Sequence, residues 1–184
     1  MHARVDDEKL VFSIPYNAQT LSVAPTSWYN KNLLRIEREQ AKQINVAQLA
    51  LVRSADDNKK WQLSDLKEVE QMVDTEKESV LSLLLTPSFT DVIGSSLNDE
   101  QAGATSALDY TITFQDGTSR TMSYSGPIGE KEEYILKSSD HPFYLKATKG
   151  VVDRIKGIDR SKLVEEKKVE EVEQESPTEN NITE

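Results

Sequence analysis

The chain has no cysteine and only two histidines, His2 and His141. The first absence excludes disulfides, thiolate metal sites and cysteine nucleophiles. It suits a reducing cytosol, and equally an oxidising compartment where unpaired thiols are a liability. The second leaves no pair of imidazoles to complete a metal centre or a catalytic triad. His141 lies in "SSDHPF", between two expected strands, where Asp140, His141 and Pro142 supply the chemistry of a tight turn. Long apolar runs are missing too: no stretch approaches the eighteen residues of a membrane span. The opening "MHARVDDEKLVFSIP" has no basic region leading into an apolar core segment. As written the chain reads as soluble, as would one trimmed of a signal or an anchor.

Positive charge is scarce as well. Against 32 acidic residues stand 22 basic ones, a net charge of −10. Such a field repels a phosphate backbone, and the basic residues of "RIEREQAK" and "KGVVDRIKGIDRSK" are interleaved with acids, so nucleic-acid binding is not expected. The 184 residues are enough for one ordinary core. Apolar residues thin out from Glu165 onward, where "EEKKVEEVEQESPTENNITE" keeps only Val169, Val172 and Ile182. That stretch cannot offset its own ordering entropy. The expected organisation is a flexible N-terminus over 1–8, a single domain over 9–164 and a disordered acidic tail over 165–184.

Periodicity supplies the elements. "KLVFSI" reads as a strand, followed by a proline-containing connection with one short helix. Residues 30 to 53 read as a brief turn of helix and then a strand, whose change of phase between Val46 and Leu49 predicts a bulge. "WQLSDL" returns as a strand with Trp61 and Leu63 on one face. "VDTEKESVLSLLLT" predicts a helix: Thr75 and Glu78 fit a capping box, Val80, Leu81, Leu84 and Leu85 make an apolar stripe, and Pro87 stops it. "SFTDVIG" is a short strand, and 94–107 is a polar loop. Strands are expected over 109–114, 119–124, 132–137 and 143–146. The first two form a hairpin around Asp116-Gly117, with Tyr110, Ile112 and Phe114 on one face, answered by Met122 and Tyr124, and Thr111 and Thr113 on the other. "TKGVVDRIKGI" is a short helix interrupted by glycine.

No reaction emerges from these pieces. There is no G-x-S-x-G elbow, and "SYSGPIGEKEE" lacks the Lys-Ser/Thr ending and long helix of a phosphate loop, so a turn between strands explains its glycines. Adjacent acids such as Asp56-Asp57 and Glu132-Glu133 point to opposite faces of a strand and do not form a catalytic pair. Neither "DDNKKW" nor "LNDEQAGA" has the oxygen pattern of a calcium loop. No catalytic, metal or cofactor-binding residue is assigned. Trp28 and Tyr29 form an aromatic pair in a loop, readable as core packing or as a partner contact.

The order of "NKNLLRIEREQAKQINV", "KKWQLSDL", "VDTEKESVLSLLL", "FTDVIG", "YTITFQDG", "EEYILK" and "PFYLKAT" resembles the bacterial domain-of-unknown-function family 4340 over about residues 28 to 164. The resemblance implies a periplasmic-looking module, often in tandem in membrane-anchored proteins, beside gliding-motility-type ABC transporter components. A faint echo between "KLVFSIPYNAQTLSVAPTSWYNKNLL" and "PFYLKATKGVVDRIKGIDRSKLV", residues 9–34 and 142–164, is consistent with such repeats.

The expected fold is α+β: an antiparallel sheet of six to eight short strands, with one principal amphipathic helix near 75–86 on one face and short flanking helices. The expected role is a non-catalytic, envelope-associated accessory module that binds a protein partner in a membrane-linked assembly. Its contact residues would be Trp28 and Tyr29, the 94–107 loop, and Thr111, Thr113 and Ser123 on the wet face of the hairpin, which would also offer an edge to a partner strand. The alternative is a small-molecule or glycan-binding module with a pocket under the 94–107 loop.

Overall fold

Period-two alternation carries most of this chain into strands, and a computed structural model shows how they assemble. It describes residues 2–4, 11–13, 29–54 and 60–167. The expected short helix before Tyr29, Trp28, and most of the acidic tail lie outside these residues. In chain order, β1 (His2–Arg4) and β2 (Val11–Ser13) form an antiparallel ribbon of their own. Then come β3 (Ala41–Val46), β4 (Leu49–Arg53), β5 (Trp61–Leu63), β6 (Glu70–Met72), α1 (Asp74–Leu85), β7 (Asp91–Gly94) and α2 (Asp99–Ala102). They are followed by β8 (Ser106–Phe114), β9 (Ser119–Ile128), β10 (Glu133–Ser138), β11 (Tyr144–Ala147), α3 (Lys149–Lys156), α4 (Arg160–Leu163) and β12 (Val164–Glu166). Eight strands make one antiparallel sheet in the order β5-β4-β3-β8-β9-β10-β11-β7, and β6 pairs with β12 in a small ribbon. The α+β class stands, with a large antiparallel sheet and a few short helices.

The inward face of that sheet and the helices share one core. Ile44, Leu51, Leu63, Tyr110, Ile112, Met122, Tyr124, Leu136 and Leu145 meet Val80, Leu81, Leu84 and Leu85 of α1, Val152 and Ile155 of α3, and Leu163 of α4. The four buried residues of α1 are the stripe read from the sequence. Burying such side chains stabilises by about 1.5–3 kcal/mol each, an upper figure because the unfolded chain is already partly collapsed. This explains how α1 forms without a side-chain N-cap, an omission that costs only about 1 kcal/mol. The expected Thr75–Glu78 capping box is absent. The helix begins one residue earlier, at Asp74 after Val73, and Glu78 instead reaches out to Arg38. At the other end Leu84 O accepts from the Tyr110 hydroxyl at 3.0 Å and Leu85 O from Ile36 N at 2.9 Å, so terminal carbonyls find partners before Pro87.

Three further expectations change. Residues 30 to 40 form two turns instead of a turn of helix. The phase change between Val46 and Leu49 is a strand reversal, since those two residues face each other across a two-residue turn. The 94–107 loop is shorter than expected, because α2 occupies its middle and β8 starts at Ser106. In α2 Asn98 and Gln101 exchange side chain-to-backbone hydrogen bonds in a capping box. Beyond the expected boundary at 164, Glu165 and Glu166 continue β12, and Lys167 N donates to Val69 O.

Candidate interaction surface

The hairpin of Asp116-Gly117 is where the sequence was most explicit, and its sidedness holds. Tyr110, Ile112, Met122 and Tyr124 are buried on the inward face. On the outward face Thr111 pairs with Thr121, their hydroxyls 3.2 Å apart, and Thr113 pairs with Ser119 at 3.3 Å. Next to them β3 contributes Gln43, which donates to the Asn45 side chain at 2.8 Å. On the other side β10 contributes Lys137, the register partner of Ser123. A field of short hydroxyl and amide side chains therefore spans three central strands, all of them half-buried or exposed. Alternation forces this result, since each buried residue of β8 and β9 commits its neighbour to the outer face.

Strand order moves one expectation. The hairpin is the centre of the sheet: β8 pairs with β3 and β9 with β10, so neither has a free edge to offer a partner strand. Among the described residues the sheet ends at β5, three residues long, and at β7, four residues long. Tyr29 sits near the second of these. Its hydroxyl donates to Asp91 Oδ1 at 3.0 Å, and that carboxylate, with some burial, pushes the phenol's pKa up. Lys31 Nζ lies 5.6 Å from the Tyr29 ring centre and 5.5 Å from that of Phe89. Tyr29 is thus half-buried and fastened to the domain. Four strand spacings separate β7 from β8, about 19 Å, so Tyr29 and the hydroxyl field are not one site.

The remaining polar groups build the rim. At the end of β10 the buried Ser138 hydroxyl donates to Asp140, which also pairs with Arg120, whose guanidinium covers the Phe114 ring at 5.5 Å. His141 belongs to this turn, its N–H on Ser138 O at 3.3 Å and its ring 5.6 Å from that of Phe143. Four clefts are described, at α1 with α3–α4, at 35–39 with α1, at α3–α4 with Ala47–Leu49, and beside the Asp116 turn. None of the four is lined by residues 94 to 107. Among the described residues no cluster of three acids or histidines is placed to hold a metal ion. Among them, too, no helix is long and apolar enough to cross a membrane.

Comparison with known families adds one match. Residues 1–112 fit the profile of a family described as a domain of unknown function, DUF4340. The chain belongs to that family. The match runs from before β1 to Ile112 in β8, so the hairpin's return strand β9 and all that follows lie beyond the matched part of this DUF4340 chain. No curated protein and no solved structure matches it. Sequence reasoning missed Gln43, Asn45 and Thr121 as members of the outer face. Period-two counting along β3 and β9 would have found them once the reversal at Ala47 was recognised.

Proposed function

We propose that this domain is a non-catalytic, envelope-associated binding module whose outer sheet face meets a protein partner. The observation that supports it is the continuous polar field of Gln43, Asn45, Thr111, Thr113, Thr121 and Ser123 across three paired strands. Serine, threonine and asparagine side chains lose less rotamer freedom when covered than long side chains do, and can satisfy one another or a partner, as in the wet, polar rims of transient interfaces. A partner docking here needs no edge strand. The envelope setting and the membrane-linked assembly follow from the family resemblance of the sequence.

The test is site-specific photocrosslinking in envelope extracts. A photoreactive residue at Thr111 or Thr113 is expected to capture a protein that the same group at Gln71, on the small β6–β12 ribbon, does not. Equal capture at both positions, or none at Thr111 and Thr113, would sink the reading.

A further inference from the structure

We propose that the outer face receives a second copy of this chain, the two sheets packed face to face about a two-fold axis that runs along β9. The proposal rests on the reading of this face as a binding surface and names its occupant. One row of outward residues crosses four strands at a single level: Asp109, Ser123, Lys137 and Tyr144, each the register partner of the next. Ser123 has an acid one strand away on one side and a base one strand away on the other, the two separated by about 10 Å. A half-turn about an axis parallel to β9, passing between the two sheets above Ser123, exchanges those sides. Asp109 then faces the partner's Lys137, Lys137 faces the partner's Asp109, and Ser123 faces its own counterpart, which is the self-complementarity an isologous interface demands.

Both charges have capacity for a partner. Asp109 is exposed and accepts only a 3.3 Å contact from Ser106 Oγ among the described hydrogen bonds. Lys137 Nζ donates to Ser138 O at 2.8 Å and to His141 O, and packs 5.5 Å from the Tyr144 ring centre. An ammonium has three N–H groups, so one is left for a carboxylate. The neighbouring level is neutral and matches as well: Thr121 on β9 meets its own counterpart, and Thr111 meets the partner's Ser139, which already bonds Thr121 N through its Oγ at 3.0 Å.

Size sets the strength. Five strands from β3 to β11 span about 24 Å, and the outward part of β9 about 20 Å, giving a footprint of roughly 480 Å² per copy against roughly 800 Å² in a standard interface. The net charge of −10 on each copy opposes association further. The dimer is therefore weak and short-lived, and forms at high local concentration.

Sedimentation of the full chain over a concentration series tests it, with Asp109→Lys, Lys137→Glu and the double exchange. The wild type is expected to dimerise reversibly, each single exchange to weaken association about tenfold or more, and the double exchange to restore it, since the pair is then reversed. Because the chain has no cysteine, Ser123→Cys with a short bismaleimide gives a second reading: it should cross-link to itself, and Gln71→Cys should not. A wild type that stays monomeric up to about millimolar concentration, or a double exchange that restores nothing while remaining folded, overturns the dimer. If in that case Thr111 still captures a different envelope protein, the binding surface stands and only its occupant changes; if it captures nothing, both fall.

Discussion

Tyr110 and Tyr124 lie side by side in the core, ring centres 6.4 Å apart and planes 24° from parallel, and their hydroxyls are held differently. Tyr110 donates to Leu84 O at 3.0 Å, tying β8 to the end of α1. Tyr124 OH is buried and, among the described residues, has no hydrogen-bond partner of normal geometry, although the Tyr110 hydroxyl lies close enough to act on its pKa. Burial pushes the Tyr124 phenol up to about 12 and raises the Tyr110 phenol well above its usual value.

The pair should therefore respond unequally to the same change. Tyr110→Phe leaves Leu84 O buried without its donor and is expected to cost about 1–2 kcal/mol, a fall of roughly 2–8 °C in Tm. Tyr124→Phe removes a hydroxyl that is desolvated for no return, and is expected to leave Tm unchanged or slightly raised. Thermal unfolding of both variants decides it; equal losses would mean that Tyr124 is bonded after all.

A second prediction concerns the C-terminal clasp. Arg160 makes a forked contact with Glu70, 2.7 and 3.1 Å, and reaches Asp65 at 3.1 Å, holding α4 and β12 against β6. Hydrogen bonds from Arg160, then from Lys67 N, lower the Glu70 carboxyl from 4.5 to about 2. A carboxyl with a depressed folded pKa stabilises fully above its unfolded value, and this contribution is lost as pH falls from about 4.5 to about 2. Arg160→Gln should flatten the acid limb of the stability curve in that window. Amide exchange should quicken at Val73 and Lys167, which donate to Leu163 O and Val69 O, and not in β8 or β9.

Two glycines with positive φ separate strain from collision. Gly126 has φ +140, and a Cβ there would meet Glu133 O at 3.0 Å and Tyr134 Cδ1 at 3.1 Å. Gly117, in the hairpin turn, has φ +86 and open space. Gly117→Ala is expected to cost about 1 kcal/mol from backbone strain alone. Gly126→Ala adds displacement of β10 beside the buried Tyr134 and is expected to cost more than about 2 kcal/mol. Denaturant midpoints that rank the two the other way would refute the close approach of β9 and β10 at this point.

What the sequence disclosed follows the range of the signal. Tyr110, Ile112, Met122 and Tyr124 alternate within one hairpin closed by Asp116-Gly117, and the stripe of α1 lies within six residues, so local pattern sufficed. The pairing of Glu70–Met72 with Val164–Glu166 joins segments more than ninety residues apart with no apolar alternation in either, and long-range contacts such as Arg160 with Glu70 and Gln71 with Glu165 bring them together. The cap of α1 misled because tertiary burial replaced a local hydrogen bond. For the candidate surface, the hydroxyls of Thr111 and Thr113 were legible from alternation. The neighbours that widen them into a field depend on strand order, which no local pattern encodes.

The reversal at Ala47 shows why one local feature stayed hidden, and it gives the last prediction. Two-residue hairpin loops favour glycine or asparagine where φ is positive. Here the turn is Ala47-Gln48, and Ala47 takes φ +50. Without the expected residue type, the change of phase looked like a bulge. The left-handed conformation costs a residue with a Cβ about 1–2 kcal/mol, while glycine adds about 0.5–1 kcal/mol of unfolded-state entropy. The strain term is the larger, so Ala47→Gly is expected to stabilise by about 0.5 kcal/mol, a rise in Tm of roughly 1–2 °C. The same substitution in a continuous bulged strand would lower Tm, so the sign of the shift reports whether Val46 and Leu49 face each other across a turn in solution.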